Sequence, residues 1–151
     1  MIIRKSPAEL GKMRRSGLLV YQVLHSVAEM VSEGVTTMEL ENAAAKMIAD
    51  AGARPAFKGY YSAAAGNRYP FVLCTSVNEQ IVHGMPSTRN PLKKGDVISI
   101  DTGVQLDGYF GDSAITVPVG QISASLQHLL DVTKDSLELA IDKVQIGRAH
   151  V

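Results

Sequence analysis

The chain is predicted to fold as α+β, with an antiparallel sheet and helices against one face. Three observations predict this. Two capping signals each open a stretch with helical apolar spacing. Two β-type runs flank an Asp-Gly dipeptide, and a third helical pattern follows the second run. The resulting order is α-α-β-β-β-α, with no internal repeat and no low-complexity linker.

The first helix is announced by Ser6-Pro7-Ala8-Glu9. Ser6 is the N-cap, Pro7 takes the first helical position and Glu9 closes a capping box. Leu18, Leu19, Val23, Val27 and Met30 then recur at helical spacing, with Gly34 as the expected stop. Thr36 with Glu39 repeats the signal, and Leu40, Ala43, Ala44, Met47 and Ile48 carry a second helix to Gly52. Beyond Gly52, "ARPAFKGYYSAAAGNRYP" has no sustained period and reads as a loop over a pocket. "FVLCTSV" is a buried strand and "NPLKKGD" is turn chemistry. "VISIDTGV" and "YFGDSAITVPV" are the two arms of a hairpin around Asp107-Gly108. From Ser123, Leu126, Leu129, Leu130, Val132, Leu137, Leu139 and Ala140 give a last helix to about residue 144.

Composition narrows the function classes. At 151 residues the chain has room for one domain and a sizeable core. Its 46% apolar and 20% charged residues argue against disorder. Fifteen basic residues balance fifteen acidic ones, so no overall field draws it to nucleic acid or anionic lipid. No apolar run has the length of a membrane span, and "MIIRKSPAEL" has no signal-peptide core. Cys74 is the only cysteine, which excludes an internal disulfide. A cytoplasmic protein with no nucleic-acid or membrane partner is expected.

The hairpin raises a chemical question. Asp101 and Asp112 lie on its two arms, among residues that read as core. A turn at Leu106-Asp107 would oppose them directly and a turn at Asp107-Gly108 makes them diagonal; either way they share one face. Like charges that close are destabilising. In a desolvated site they must share a proton or bind a cation. Two readings fit the pair alone, a solvated face paired with Lys or Arg and a divalent-metal site. The surroundings favour metal: Ser99, Gly103, Ala114 and Thr116 leave room on the same face, while Ile98, Ile100 and Ile115 form an apolar opposite face.

His83 follows Ile81-Val82 and precedes Gly84-Met85-Pro86, at the expected end of a strand. A lone histidine is more often structural, but its place upstream of the aspartate hairpin makes it a site candidate. His25 and His128 lie within helices and read as surface or packing residues.

In this order, "FKGY", "YP", "CTSVNEQIVHGMP", "LKKGDVISIDTG" and "GYFGDSAIT" resemble type I methionine aminopeptidases. Relatives that cleave Xaa-Pro bonds share the two-aspartate hairpin, but "CTSVNEQIVHGMP" looks like the methionine enzymes. The resemblance implies the N-terminal half of a pita-bread (creatinase/aminopeptidase-like) fold, over residues 1–145. It implies a hydrolase that uses two divalent metal ions (Co, Mn, Fe or Zn) to remove the initiator methionine. By motif match Asp101 and Asp112 would be metal ligands. His83 would be catalytic and touch the scissile peptide, and Phe57, Tyr60 and Tyr69 would line the methionine slot. The implied partners are nascent polypeptide N-termini near the ribosome, and the full-length enzyme is expected to be a monomer.

Departures from the pattern carry their own expectations. "YSAAAGNR" between Tyr60 and Tyr69 is longer than the family's spacing, and Tyr61 stands where some relatives have histidine. The family's later half supplies a histidine and two glutamates that this sequence lacks, and His150 is not in their context. The closing "IGRAHV" reads like a translated sequencing adapter, so residues 146–151 are expected to be a non-native tail and the chain alone inactive. A non-catalytic peptide-binding half-fold and an Xaa-Pro peptidase relative are the alternatives.

Overall fold

A computed structural model describes residues 4–62 and 66–144 of the chain; the expected tail at 146–151, with His150, lies outside the described residues. Helix α1 spans Pro7–Glu29. The Ser6 hydroxyl accepts the Glu9 N–H and the Glu9 carboxylate accepts the Ser6 N–H at 2.7 Å, so both halves of the capping box form. Gly34 does not end this helix. Met30 and Val31 donate to Val27 and Ala28, tightening the last turn so that no left-handed cap is needed there. Gly34, at φ 89°, instead donates to the Leu92 carbonyl. Helix α2, Thr37–Asp50, opens with the Thr36–Glu39 box and leads into Gly52 at φ 66°.

Three short strands occupy the segment read as irregular: β1 (Arg54–Pro55), β2 (Tyr61–Ser62) and β3 (Asn67–Arg68). Strand β4 is Leu73–Val77, and β5 (Val97–Leu106) and β6 (Tyr109–Pro118) form the long hairpin. Asp107 and Gly108 both have positive φ, 52° and 83°, the tight turn that matches strand twist. β5 is central: β6 runs along one edge, while β1 and β4 share the other, all antiparallel. β2 and β3 pair only with each other.

Helices α1 and α2 cover one face of this sheet. Leu19, Val20, Val23, Leu24 and Val27 of α1 and Leu40, Ala44 and Ile48 of α2 pack with Leu73, Ile98, Ile100 and Val104. The buried stripe of α1 is turned slightly from the expected one, leaving Leu18 and Met30 exposed. Two contacts set how the helices sit. Ser16, fully buried, donates its hydroxyl to the Tyr109 carbonyl at 2.9 Å, and a Cβ on Gly111 would lie 2.7 Å from the Ser16 carbonyl carbon and oxygen. The α1 backbone thus rests on β6 at a glycine. The buried Glu41 of α2 accepts the Val72 and Leu73 N–H groups, each at 2.8 Å, fastening α2 to the start of β4. Burial still pushes the Glu41 carboxyl up, although both backbone bonds pull it down.

Helix α3, Ala124–Lys143, follows a cap by Ser123 and buries none of its side chains; Leu129, Leu137, Leu139 and Ile141 are exposed. The apolar sheet face is already covered by α1 and α2, which leaves α3 no core to join.

Candidate active site

The uncovered sheet face carries the aspartates. Register pairs Asp101 with Ala114 and Gly103 with Asp112, so the two carboxylates share a face as diagonal neighbours. Such neighbours are about 7–8 Å apart in a regular ladder, within reach of one cation or a close cation pair. Gly103 makes the spacing workable: a Cβ there would lie 3.0 Å from Asp112 Oδ2 and 3.1 Å from Phe57 Cε1. The Asp112 carboxylate therefore leans over a position with no side chain. Burial, then the charge of Asp112, push the Asp101 carboxyl up, while His83 pulls the other way. Burial also pushes up Asp112. Asp101 is half-buried and Asp112 exposed, and neither carboxylate forms a salt bridge to lysine or arginine among the described residues, so the cationic partner of the solvated-face reading is not seen there.

A cleft of about 540 Å³ opens over this face, lined by Ala56, Phe57, Tyr60, Asn67, Tyr69, Cys74, His83, Met85, Asp101 and Asp112. All six residues singled out in the sequence line it. Phe57 reaches it because Ala56 donates to the Gly103 carbonyl at 2.8 Å, continuing β1 along β5. Tyr60 and Tyr69 reach it because the chain between them folds back on itself. Gly59 donates to Tyr69 at 2.7 Å, Tyr69 donates to Tyr60 at 2.9 Å, and Tyr61 and Ser62 pair with Arg68 and Asn67. Tyr61-Ser62 and Asn67-Arg68 thus form a short ribbon whose base holds the two tyrosines together. Tyr69 is half-buried and donates its hydroxyl to the Leu73 carbonyl at 2.8 Å; Tyr60 is exposed.

His83 does not end a strand. β4 stops at Val77, and Ile81 and Val82 are exposed residues of a loop. With Asn78 at φ 53° and His83 at φ 60°, the segment turns back before it can pair. His25 and His128 are exposed on α1 and α3, His25 against the Tyr21 ring.

Cys74 and Met85 are cleft residues that sequence reasoning missed. Cys74 had a signal: it pairs with Asp101 across β4 and β5, and strand alternation puts it on the aspartate face. Met85 had none, since a loop return brings it there. Burial keeps the Cys74 thiol neutral by raising its pKa. With Phe57 and the tyrosines they add apolar and sulfur-bearing groups to the cleft lining, Cys74 directly beside Asp101.

Two hard oxygen donors on one face fit a divalent ion by chemistry. They are two ligands and not a complete sphere: among the described residues, no group of three or more His, Cys, Asp or Glu could hold a metal.

Comparison with known proteins places these features. Residues 11–150 match the model of the family described as metallopeptidase family M24. Over 143 residues the chain is 47% identical to a methionine aminopeptidase of Aquifex aeolicus, covering 95% of this chain and 55% of that one. It is 44% identical to methionine aminopeptidase 1 of Bacillus subtilis, over 97% of this chain and 56% of that one. A crystal structure of a methionine aminopeptidase from Thermotoga maritima superposes with a TM-score of 0.87 at 35% identity, covering 96% of this chain and 56% of that one. The chain spans about half the length of these relatives.

Proposed function

Because the chain belongs to metallopeptidase family M24, we propose that its cleft is the first half of a methionine aminopeptidase active site, with residues 1–145 as the N-terminal half of the catalytic domain. The reaction is removal of the initiator methionine from nascent polypeptides in the cytoplasm. The observation that carries this reading is the convergence of Asp101, Asp112, His83 and the aromatic residues on one cleft.

Asp101 and Asp112 would hold divalent ions through carboxylate oxygens. The chemistry such ions would supply there is Lewis acidity toward a carbonyl and toward water. The chain's own residues supply the rest. Phe57, Tyr60 and Tyr69, with Cys74 and Met85, give an apolar slot that matches a thioether side chain. The Tyr69 hydroxyl is spent on Leu73, so this residue presents its ring and not a polar group. His83, on the same cleft, would hydrogen-bond to the scissile peptide and orient it toward the carboxylates.

Peptide binding to residues 1–151 in the presence of Mn²⁺ or Mg²⁺ tests the slot. A Met-Ala-Ser peptide is expected to shift the NMR signals of Tyr69 and Cys74, and a Lys-Ala-Ser peptide to leave them unmoved. The Tyr69→Ala variant should lose the response to the methionyl peptide. Equal responses to both peptides would show that the cleft does not select methionine.

A further inference from the structure

His83 occupies a backbone conformation that a non-glycine residue rarely adopts, with φ at 60°. Such a residue persists only where its surroundings over-determine it. The flanking loop does not, since Ile81 and Val82 on its N-terminal side are exposed. The determinants lie on the other side, at Gly84. Its backbone is pressed against β4: a Cβ there would fall 2.2 Å from the Thr75 carbonyl oxygen and 2.8 Å from the carbonyl carbon. Its carbonyl accepts the Thr75 N–H at 2.8 Å and, more weakly, the Tyr69 hydroxyl at 3.3 Å. Its N–H, the amide that joins it to His83, donates to Ser76 Oγ at 3.1 Å. Ser76 is buried at 4% exposure.

We propose that Ser76 is a positioning residue for His83. Its hydroxyl accepts the Gly84 N–H and fixes the plane of the His83–Gly84 peptide, which sets ψ of His83; with the chain pinned to β4 on that side, the histidine keeps the positive φ with which it reaches the cleft. Thr75 and Tyr69 anchor the far side of Gly84; only the Ser76 bond acts on the peptide shared with His83. This rests on the reading of His83 as the peptide-contacting group for its consequence, but not for its test, which reads backbone geometry without turnover.

The test uses residues 1–151 labelled for NMR. The unaltered protein is expected to show a protected Gly84 amide and the strong intraresidue amide-to-Hα NOE of a positive φ at His83. In Ser76→Ala, Gly84 exchange should quicken about tenfold, the cost of one buried hydrogen bond. The His83 NOE should weaken while the Ile100 and Val104 amides keep their protection. Ser76→Thr, which retains the hydroxyl, should restore both signals. If Ser76→Ala is insoluble, Ser76→Cys, a poor acceptor of similar size, is read in the same way. An unprotected Gly84 amide in the unaltered protein overturns the proposal. So does an unchanged NOE in the variant, or exchange that quickens equally across β4 and β5, which would mean that Ser76 only stabilises the fold.

Discussion

At the scale of single residues, the aspartate pair is a stored electrostatic conflict. Both carboxyls are pushed up by burial, and Asp101 also by its neighbour's charge. Burial and like charge both oppose ionisation of the pair, a conflict that a bound divalent cation would relieve. Asp112→Asn should therefore move two measurements in opposite directions. The urea midpoint of metal-free protein should rise, because a repulsion is removed. Mn²⁺ affinity, read from the EPR signal of the free ion, should fall about tenfold as one anionic ligand is lost. Unchanged affinity would remove Asp112 from the metal site. The pair was legible in the sequence because a strand has period two and Asp107-Gly108 marks the turn. His83 was legible as a cleft candidate, but its positive φ was not.

At the scale of elements, polar side chains fix how α1 and α2 meet the sheet. The α1 N-terminus is tied by Glu9, which accepts the Ser6 N–H and hydroxyl and the Tyr109 hydroxyl at 3.0 Å. The Ser6 backbone bond first, then the Ser6 and Tyr109 side chains, hold the Glu9 carboxyl at about 2, below its ordinary 4.5. Between those values the unfolded chain binds more protons than the native one, so the contribution is complete above pH 4.5 and is lost as pH falls toward 2. Glu41, Asp101 and Asp112 act in the other sense, because protonation relieves their burial. Urea midpoints of Glu9→Gln against pH should thus lose part of the acid-side decline seen in the unaltered protein between pH 4.5 and 2. Parallel curves for the two proteins would show that the tie does not bear on stability. The capping box was readable from Ser6 and Glu9, but the Tyr109 partner lies 100 positions away and belongs to the tertiary fold.

At the scale of the whole molecule, the chain has two unlike surfaces. α1 and α2 bury one face of the sheet, while the aspartate face and α3 are open. Since α3 buries no side chain, ending the chain at Ile122 should leave the thermal midpoint within about 2 °C and reduce self-association. A fall of 10 °C or more would mean that α3 docks in solution. Two carboxylates also leave most of a metal's coordination to water. Residues 1–151 with Mn²⁺ or Co²⁺ are therefore expected to give no appreciable turnover of a Met-Ala peptide. Turnover comparable to that of the relatives, which are about twice as long, would show that the chain completes the site itself or by pairing.

Short strands β1 to β3 aside, the sequence by itself determined the three helices, β4 and the long hairpin, both capping boxes, the hairpin turn and the parity of Asp101 and Asp112. Each follows from residues within a turn of one another or from the strict alternation of strands. Tertiary structure decided the part Gly34 plays, the path of residues 78–83 and the arrival of Cys74 and Met85 in the cleft. Gly34 was read as a helix stop and instead serves a contact with Leu92. Ile81-Val82 carried β-branched residues, but the chain turns back before any partner strand is reached. Cys74 and Met85 joined the cleft by strand pairing and by a loop return. Local propensity constrains neighbours along the chain; a site is made by distant segments meeting, and close contacts at Gly84, Gly103 and Gly111 settle that meeting only once the chain has folded.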